Sequence, residues 1–196
     1  MISTLANYVA KRFFDENDKY PIAVYIYGVE LLISSFISTL VILLIGVFTK
    51  TFFESVIFLT SFSLIRVYTG GYHSMTYLRC NIISALSYVA VVAFLYLLED
   101  FIKNPLIMFL GYMLTMILAI VFAPIKHDNK DISEEEKKKY KLMSVLMITV
   151  VYIGCCVGYY VFDIKSTLII LPTCISIDIA MLVSVVINIF NRRNNK

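Results

Sequence analysis

Charged side chains are scarce in this sequence. Only 16% of the 196 residues are Asp, Glu, Lys or Arg, whereas 60% are hydrophobic. Soluble globular domains have roughly 25% charged and about 45–50% apolar residues, so this composition excludes an ordinary soluble domain. The net charge of +3 does not indicate a nucleic-acid partner, because phosphate binding requires a concentrated basic surface.

Residues that commonly bind metal ions are also few. The two histidines, His73 and His127, and the four cysteines show neither the paired spacing of zinc sites nor an H-E-x-x-H motif. We therefore expect no metal ion and no other cofactor. Cys155, Cys156 and Cys174 fall in apolar segments, where a cysteine usually packs as a small hydrophobic residue.

Long hydrophobic runs dominate the chain instead. They are continuous and close to the roughly 20 residues with which a helix crosses a bilayer, unlike the alternating strands of a membrane β-barrel. The sequence predicts an all-α, polytopic membrane protein, embedded in the lipid bilayer as one domain with six transmembrane helices. We place these helices at residues 22–48, 52–65, 81–98, 106–123, 142–162 and 167–190.

Polar segments flank and separate these helices. Residues 2–14 carry apolar side chains at helical spacing, which predicts a short amphipathic helix that either lies on the membrane surface or packs on the bundle. The longest polar stretch is the loop 124–141, and the pattern from Ser133 to Glu136 within it is a capping box that predicts the start of a helix. The tail, 191–196, is polar and basic.

Lysine and arginine are distributed unevenly about the predicted helices. Six spans put both termini on one side of the membrane, and of the 17 basic residues only Lys50, Lys103 and Lys165 fall on the other side. Cytoplasmic loops are enriched in Lys and Arg. We therefore expect both termini, and the segment from His73 to Cys80, at the cytoplasmic face of the cell membrane.

Glycines and reactive side chains are concentrated in one stretch, residues 66–80, after the second predicted helix. Gly70 and Gly71 interrupt the helix, because glycine tolerates turn conformations and weakens helices. We predict a looped or re-entrant segment facing a polar cavity, since non-helical backbone at membrane depth needs protein or water around it. This segment contains His73 and Cys80, a candidate base and nucleophile.

The spacing of His73 and Cys80 limits how they can meet. In one straight helix they would lie about 10 Å apart along the axis, whereas activation of a nucleophile requires a direct contact on the order of 3–4 Å. We expect either that the chain folds His73 back toward Cys80 or that the pair forms between two chains of a homodimer. The non-catalytic alternative is a cysteine packed at the lipid boundary and a histidine at a helix end.

A position at the start of the third helix would favour a reactive Cys80. The helix dipole and the nearby Arg66 or Arg79 would stabilise its thiolate, and free helix amides could stabilise an oxyanion. Asp178 lies in the middle of a predicted span, where a charge is costly and usually functional. It could orient His73 as a third catalytic residue, pair with an arginine, or lie protonated in the bundle.

The pattern Arg66-x3-Gly70-Gly71-x-His73-x6-Cys80, placed after the second of six hydrophobic segments, resembles the AgrB family of accessory gene regulator proteins. The resemblance implies a membrane cysteine endopeptidase of Gram-positive quorum sensing. Its partner would be a short AgrD-like propeptide, from which the enzyme removes the C-terminal part. A thioester on the enzyme would then be attacked by a cysteine or serine of the peptide, giving a thiolactone or lactone autoinducing peptide.

The resemblance also implies roles for individual residues. Cys80 matches the nucleophile and His73 the base, while Arg66 and Gly71 match positions that support the site. The alternative function is a non-catalytic six-helix exporter of a peptide or lipid, in which Asp178 would serve within a broken-helix bundle.

Overall fold

The computed structural model describes residues 2–13, 21–70, 76–125 and 133–194, and most of them are helical. Within these ranges, six helices are long and apolar enough to cross a membrane. The prediction of an all-α polytopic membrane protein is confirmed. The helices are α1 (Ile2–Phe13), α2 (Ile22–Phe48), α3 (Phe52–Thr69), α4 (Tyr77–Leu97), α5 (Glu99–Ile102), α6 (Pro105–Phe122), α7 (Glu134–Tyr160) and α8 (Ile170–Asn194), with a 3₁₀ helix, Lys165–Ile169, leading into α8.

α3 is longer than its hydropathy predicts. We expected an end near Ile65, but the helix continues to Thr69 and includes Arg66. It ends where Gly70 adopts a φ of 73° while its N–H donates to the carbonyl of Arg66 at 3.0 Å. Positive φ is readily adopted only by glycine, so the helix ends at Gly70 and not at the charged side chain.

α4 begins earlier than predicted. The expected start at Asn81 is wrong, because the first helical residue is Tyr77 and Cys80 is already the fourth. Thr76 has extended backbone and its hydroxyl accepts the N–H of Arg79 at 3.4 Å. A threonine N-cap of this kind sets where a helix starts, and hydropathy alone does not reveal it.

The centre of the bundle is α8. It packs against α3, α4 and α6, and 56% of its apolar window is buried, against 17–28% in the other candidate spans of the described chain. Ile177 and Met181 are fully buried within it. The outer helices expose large apolar side chains such as Leu32, Phe36 and Val67, as expected for a surface that contacts lipid.

α1 packs on α2. Ala6 and Ala10, one turn apart, are both 0% exposed, because their small side chains allow close approach of the two helices. Leu5, Tyr8 and Phe13 stay exposed. Of the two alternatives for this amphipathic helix, contact with the bundle is therefore observed, and an apolar side remains available to the membrane surface.

α7 begins inside the polar stretch that was predicted at 124–141. Ser133 accepts the N–H of Glu136, and the carboxylate of Glu136 accepts the N–H of Ser133. The capping box is confirmed, since both reciprocal bonds are present. The helix then runs without interruption from Glu134 to Tyr160.

The chain after α6 closes against the end of α3. The N–H of Ile125 donates to the carbonyl of Thr69 at 3.2 Å. A Cβ atom on Gly70 would lie 3.2 Å from the carbonyl oxygen of Ile125 and 3.3 Å from its nitrogen. This α3–α6 corner therefore requires glycine for both its backbone conformation and its limited space. The segments that follow it in sequence, with the predicted base His73 and with His127, lie outside the described residues.

Candidate active site

A cavity of about 390 Å³ lies between α2, α3 and α4. Its volume falls in the range of small-ligand sites, roughly 300–1,000 Å³. Cys80 and Arg66 both line it. The structure thus brings the predicted nucleophile and one predicted supporting residue to the same space, which we call the Cys80 cavity.

Cys80 is half-buried in the first turn of α4. Its own N–H donates to the carbonyl of Thr76 at 3.1 Å, and the preceding N–H, that of Arg79, donates to the Thr76 hydroxyl. These two amides are therefore engaged in starting the helix. Our expectation of free amides around Cys80 is wrong for both of them, because Cys80 lies inside the helix and not before it.

The two predicted supporting arginines occupy different surroundings. Arg66 lies on α3 with its guanidinium carbon 5.1 Å from the ring centroid of Phe62, a cation–π contact, and it lines the same cavity as Cys80. A cation beside a cysteine is typical of reactive thiolates. Arg79 is exposed and is absent from the lining of the Cys80 cavity.

Tyr77 ties the start of α4 to α2. Its hydroxyl donates to the carboxylate of Glu30 at 2.9 Å, and its side chain also lines the Cys80 cavity. The two residues are 47 positions apart in the sequence, so no local pattern indicates the pair. The hydrogen bond fixes the first turn of α4, and with it Cys80, relative to α2.

One side of α2 carries hydroxyl groups into the cavity. Ser34, Ser35, Ser38 and Thr39 all line it, at the spacing that places side chains on one side of a helix. Ser34 Oγ donates to Oδ1 of Asn81 on α4 at 3.1 Å. This row of hydroxyl groups was not predicted from the sequence, although four hydroxyl residues at helical spacing inside an apolar span indicate it.

A second cavity, of about 410 Å³, lies between α3, α4 and α8 and is mainly apolar. Phe62, Arg66 and Ser84 line both cavities. Arg66 thus stands at the boundary between a hydroxyl-lined space and an apolar one.

His73 and Gly71 lie outside the described residues. α3 ends at Thr69 on one side of them and α4 begins at Tyr77 on the other. The looped segment, and the approach of His73 to Cys80, therefore stay predictions.

Asp178 is buried between α8 and α6, with 4% of its surface exposed. The hydroxyl of Thr115 donates to its Oδ2 at 2.8 Å, while Oδ1 has no hydrogen-bond partner in the described part of the chain. Asp178 is not among the residues that line the Cys80 cavity. Its role in orienting His73 stays a prediction.

The remaining cysteines lie on α7 and α8. Cys155 is buried and its thiol donates to the carbonyl of Thr167 at 3.3 Å, and Cys174 is buried as well. Among the residues that the structure describes, no cluster of three His, Cys, Asp or Glu side chains could hold a metal ion.

Comparison with known proteins places the chain in a family. Residues 2–191 match the family model described as Accessory gene regulator B, AgrB. The chain belongs to the AgrB family. This match covers all six spans and every residue of the Cys80 cavity named above. No solved structure matches the chain significantly.

Two relatives of this AgrB protein come from Clostridium perfringens. The chain is 28% identical over 162 residues to an AgrB-like protein 2 of strain 13 / Type A, with 78% of this chain and 74% of the relative covered. It is 30% identical over 132 residues to an AgrB-like protein of strain SM101 / Type A, with 65% and 61% covered. Membership of the AgrB family supports a role in quorum-sensing peptide processing in a membrane, with an AgrD-like propeptide as partner.

Proposed function

We propose that this AgrB protein is a membrane cysteine endopeptidase that cleaves an AgrD-like propeptide through an acyl-enzyme on Cys80. The peptide would then cyclise to a thiolactone or lactone. The observation that carries the proposal is that Cys80 and Arg66 both lie on the wall of one cavity that also carries hydroxyl groups. A cysteine that served only for packing in lipid would need neither the cation nor the cavity.

In the first half of the reaction, His73 takes the thiol proton of Cys80. The sulfur attacks the carbonyl carbon of the scissile peptide bond, a C–S bond forms, and the carbonyl electron pair moves to oxygen. When the carbonyl re-forms, the C–N bond breaks and the amine leaves with the proton held by His73. Arg66 stabilises the thiolate before the attack.

In the second half, a thiol or hydroxyl within the bound peptide attacks the thioester carbon. The bond to Cys80 breaks as the new thioester or ester forms, and the sulfur of Cys80 takes the proton that the attacking group releases. One acyl bond replaces another, so no external energy source is needed for this step. An internal nucleophile has a high effective concentration. A cavity between helices, with limited access for water, favours it over hydrolysis.

The lining of the Cys80 cavity suits a peptide backbone. Peptide N–H and C=O groups at membrane depth are costly unless they find hydrogen-bond partners. Ser35, Ser38 and Thr39 offer hydroxyl groups along one wall of α2, with Ser63 on α3 and Ser84 on α4. These side chains would pair with the segment on either side of the scissile bond.

The lysines that follow the acidic first turn of α7 would receive the acidic tail that the family implies for the propeptide. The ring of Tyr140 lies 6.5 Å from that of Tyr68 near the end of α3, so this turn of α7 is close to the helix that carries Arg66. Lys138 and Lys139, just before Tyr140, are exposed. Attraction between opposite charges would guide the tail toward the site.

We also propose that both termini and the site face the cytoplasm, as the distribution of Lys and Arg predicts. A ribosomally made peptide would reach the site from that side. A homodimer stays our proposal for the assembly.

Co-expression with an AgrD-like propeptide that carries a C-terminal tag tests the function. We expect Cys80→Ala to abolish release of the tagged fragment, because the acyl-enzyme cannot form. Cys156→Ala is the matched control, since Cys156 is half-buried on α7 and lines neither of the two large cavities. It should cleave as the unmodified protein does, at equal protein levels in the membrane fraction. Cleavage at the normal rate by Cys80→Ala would rule out the proposal and favour an exporter.

A further inference from the structure

We propose that Asn81 is a further catalytic residue, whose side-chain amide donates a hydrogen bond to the oxyanion that forms when Cys80 attacks the substrate. The inference rests on the proposed cysteine peptidase function and adds a residue outside the Arg66–Cys80 motif.

The need for such a donor follows from the way α4 begins. The tetrahedral intermediate of acyl transfer requires hydrogen-bond donors aimed at its oxygen, and the backbone N–H of the nucleophile often provides one. Here the N–H of Cys80 donates to the carbonyl of Thr76 at 3.1 Å. The N–H of Arg79 is engaged as well, by the Thr76 hydroxyl. These two amides are thus unavailable to the oxyanion, and a donor on a side chain near Cys80 can serve in their place.

Asn81 meets the requirement by position. It follows Cys80 in the helix, and both residues line the same cavity. An asparagine side chain has two N–H donors on nitrogen and an acceptor on oxygen. It can stabilise negative charge without a charge of its own, so it does not compete with Arg66 for the thiolate.

Ser34 fixes which end of the Asn81 amide is available. Its hydroxyl, on α2, donates to Oδ1 of Asn81 at 3.1 Å, and Ser34 is only 4% exposed. Because the oxygen is bound to Ser34, the amide nitrogen points away from it, and within the described residues its donors remain available for another acceptor. Ser34 is thus a positioning residue, which acts through Asn81 and not on the substrate.

Asn81 remains chemically unchanged by the reaction. The thiolate forms the C–S bond, and the π electrons of the carbonyl become a lone pair on oxygen, which accepts an N–H of Asn81. When the C–N bond breaks, the carbonyl re-forms and the amine leaves with a proton from the catalytic base. Arg66 acts on the sulfur before the attack and Asn81 on the oxygen after it, so the two roles can be measured separately.

The experiment compares Asn81→Ala and Asn81→Leu with the unmodified protein in proteoliposomes, using a synthetic AgrD-like propeptide. Both variants remove the donor, and leucine retains most of the side-chain volume. We expect kcat to fall by roughly 10²–10³-fold, the loss measured when one oxyanion donor is removed, with little change in KM. The rate of Cys80 alkylation by iodoacetamide should keep its pH profile, because the thiolate is formed before Asn81 acts.

Ser34 provides the second arm. Ser34→Ala should lower kcat by roughly 2- to 10-fold, the range for one lost hydrogen bond, and Ser34→Thr should restore it. In the Asn81→Ala background, Ser34→Ala should cause no further loss, because the two residues act as one unit. Thr60→Ala, on an exposed position of α3, is the control and should behave as the unmodified protein.

Three results would overturn the inference: a kcat within about twofold of normal in Asn81→Ala and Asn81→Leu, a loss confined to KM, or a parallel fall in Cys80 alkylation. Cys80→Ala, measured alongside, separates this inference from the proposed function. If Cys80 is required and Asn81 is not, only the oxyanion role fails. If Cys80 is also dispensable, the peptidase function itself fails.

Discussion

Replacement of Gly70 by alanine tests the α3–α6 corner that precedes the segment containing His73. Gly70 has φ 73° and ψ −163°, a region of backbone conformation that only glycine adopts readily. A Cβ atom there would also approach the backbone of Ile125 to 3.2 Å, and a backbone neighbour cannot rotate away as a side chain can. Holding a residue in such a region costs about 1–3 kcal/mol. This corresponds to roughly a 5- to 150-fold loss in the population of the native corner.

Gly154→Ala is the matched control for Gly70→Ala. Gly154 lies inside α7, and no atom would come within 4 Å of its Cβ. Alanine is favoured over glycine in a helix by about 0.5–1 kcal/mol, so this variant should be neutral or slightly stabilised. The same chemical change thus has opposite expected signs at the two positions.

Two assays read the outcome, the thermal unfolding midpoint in detergent and the cleavage rate of a co-expressed propeptide. For Gly70→Ala we expect a lower midpoint and a cleavage rate reduced about tenfold or more, within the range set by the conformational cost. Gly154→Ala should retain both the normal unfolding midpoint and the normal cleavage rate. Normal stability and cleavage in Gly70→Ala, or an equal loss in both variants, would refute the assignment of this corner as one that requires glycine.

Two further predictions concern the buried pair between α6 and α8. Thr115→Val removes the hydrogen bond to Asp178. We expect the free energy of unfolding in detergent to fall by about 0.6 kcal/mol, and at most by about 1.7 kcal/mol, as for other hydrogen bonds between membrane helices. No measurable change in this free energy would mean that the bond contributes nothing to helix packing. Asp178→Asn retains an acceptor for Thr115, so stability should be preserved. The rate at which the Asp178→Asn variant cleaves the propeptide tests whether Asp178 orients His73. Cleavage at the normal rate would mean that Asp178 serves only in helix packing.

The spans were predictable because lipid constrains them strongly. Every backbone polar group in the bilayer must be paired within the chain, so an apolar run of sufficient length has to be a helix, and Ile22–Phe48 agrees with its prediction at both ends. The ends around the motif were not predictable from hydropathy. Gly70 and Thr76 set them through backbone conformation and capping, neither of which depends on how apolar the segment is.

The contacts of the site were harder to predict than its motif. The pattern at 66–80 identified Cys80 and Arg66, and the structure places both on one cavity. The bond from Ser34 to Asn81 joins residues 47 positions apart, and it depends on how α2 is rotated toward α4. A single apolar helix does not specify that rotation, because lipid accepts any of its sides. For the same reason the sequence could not show that Asp178 faces α6.

The central place of α8 has a consequence for biogenesis. α8 follows the other five spans in the sequence, so it leaves the ribosome after them, yet it is the helix around which α3, α4 and α6 pack. Until it inserts, α3, α4 and α6 each lack a packing partner and can meet lipid on sides that are later buried. The bundle therefore completes its fold only after α8 has been made. A nascent chain that already contains Cys80 but not yet α8 is held together by fewer helix contacts than the finished protein.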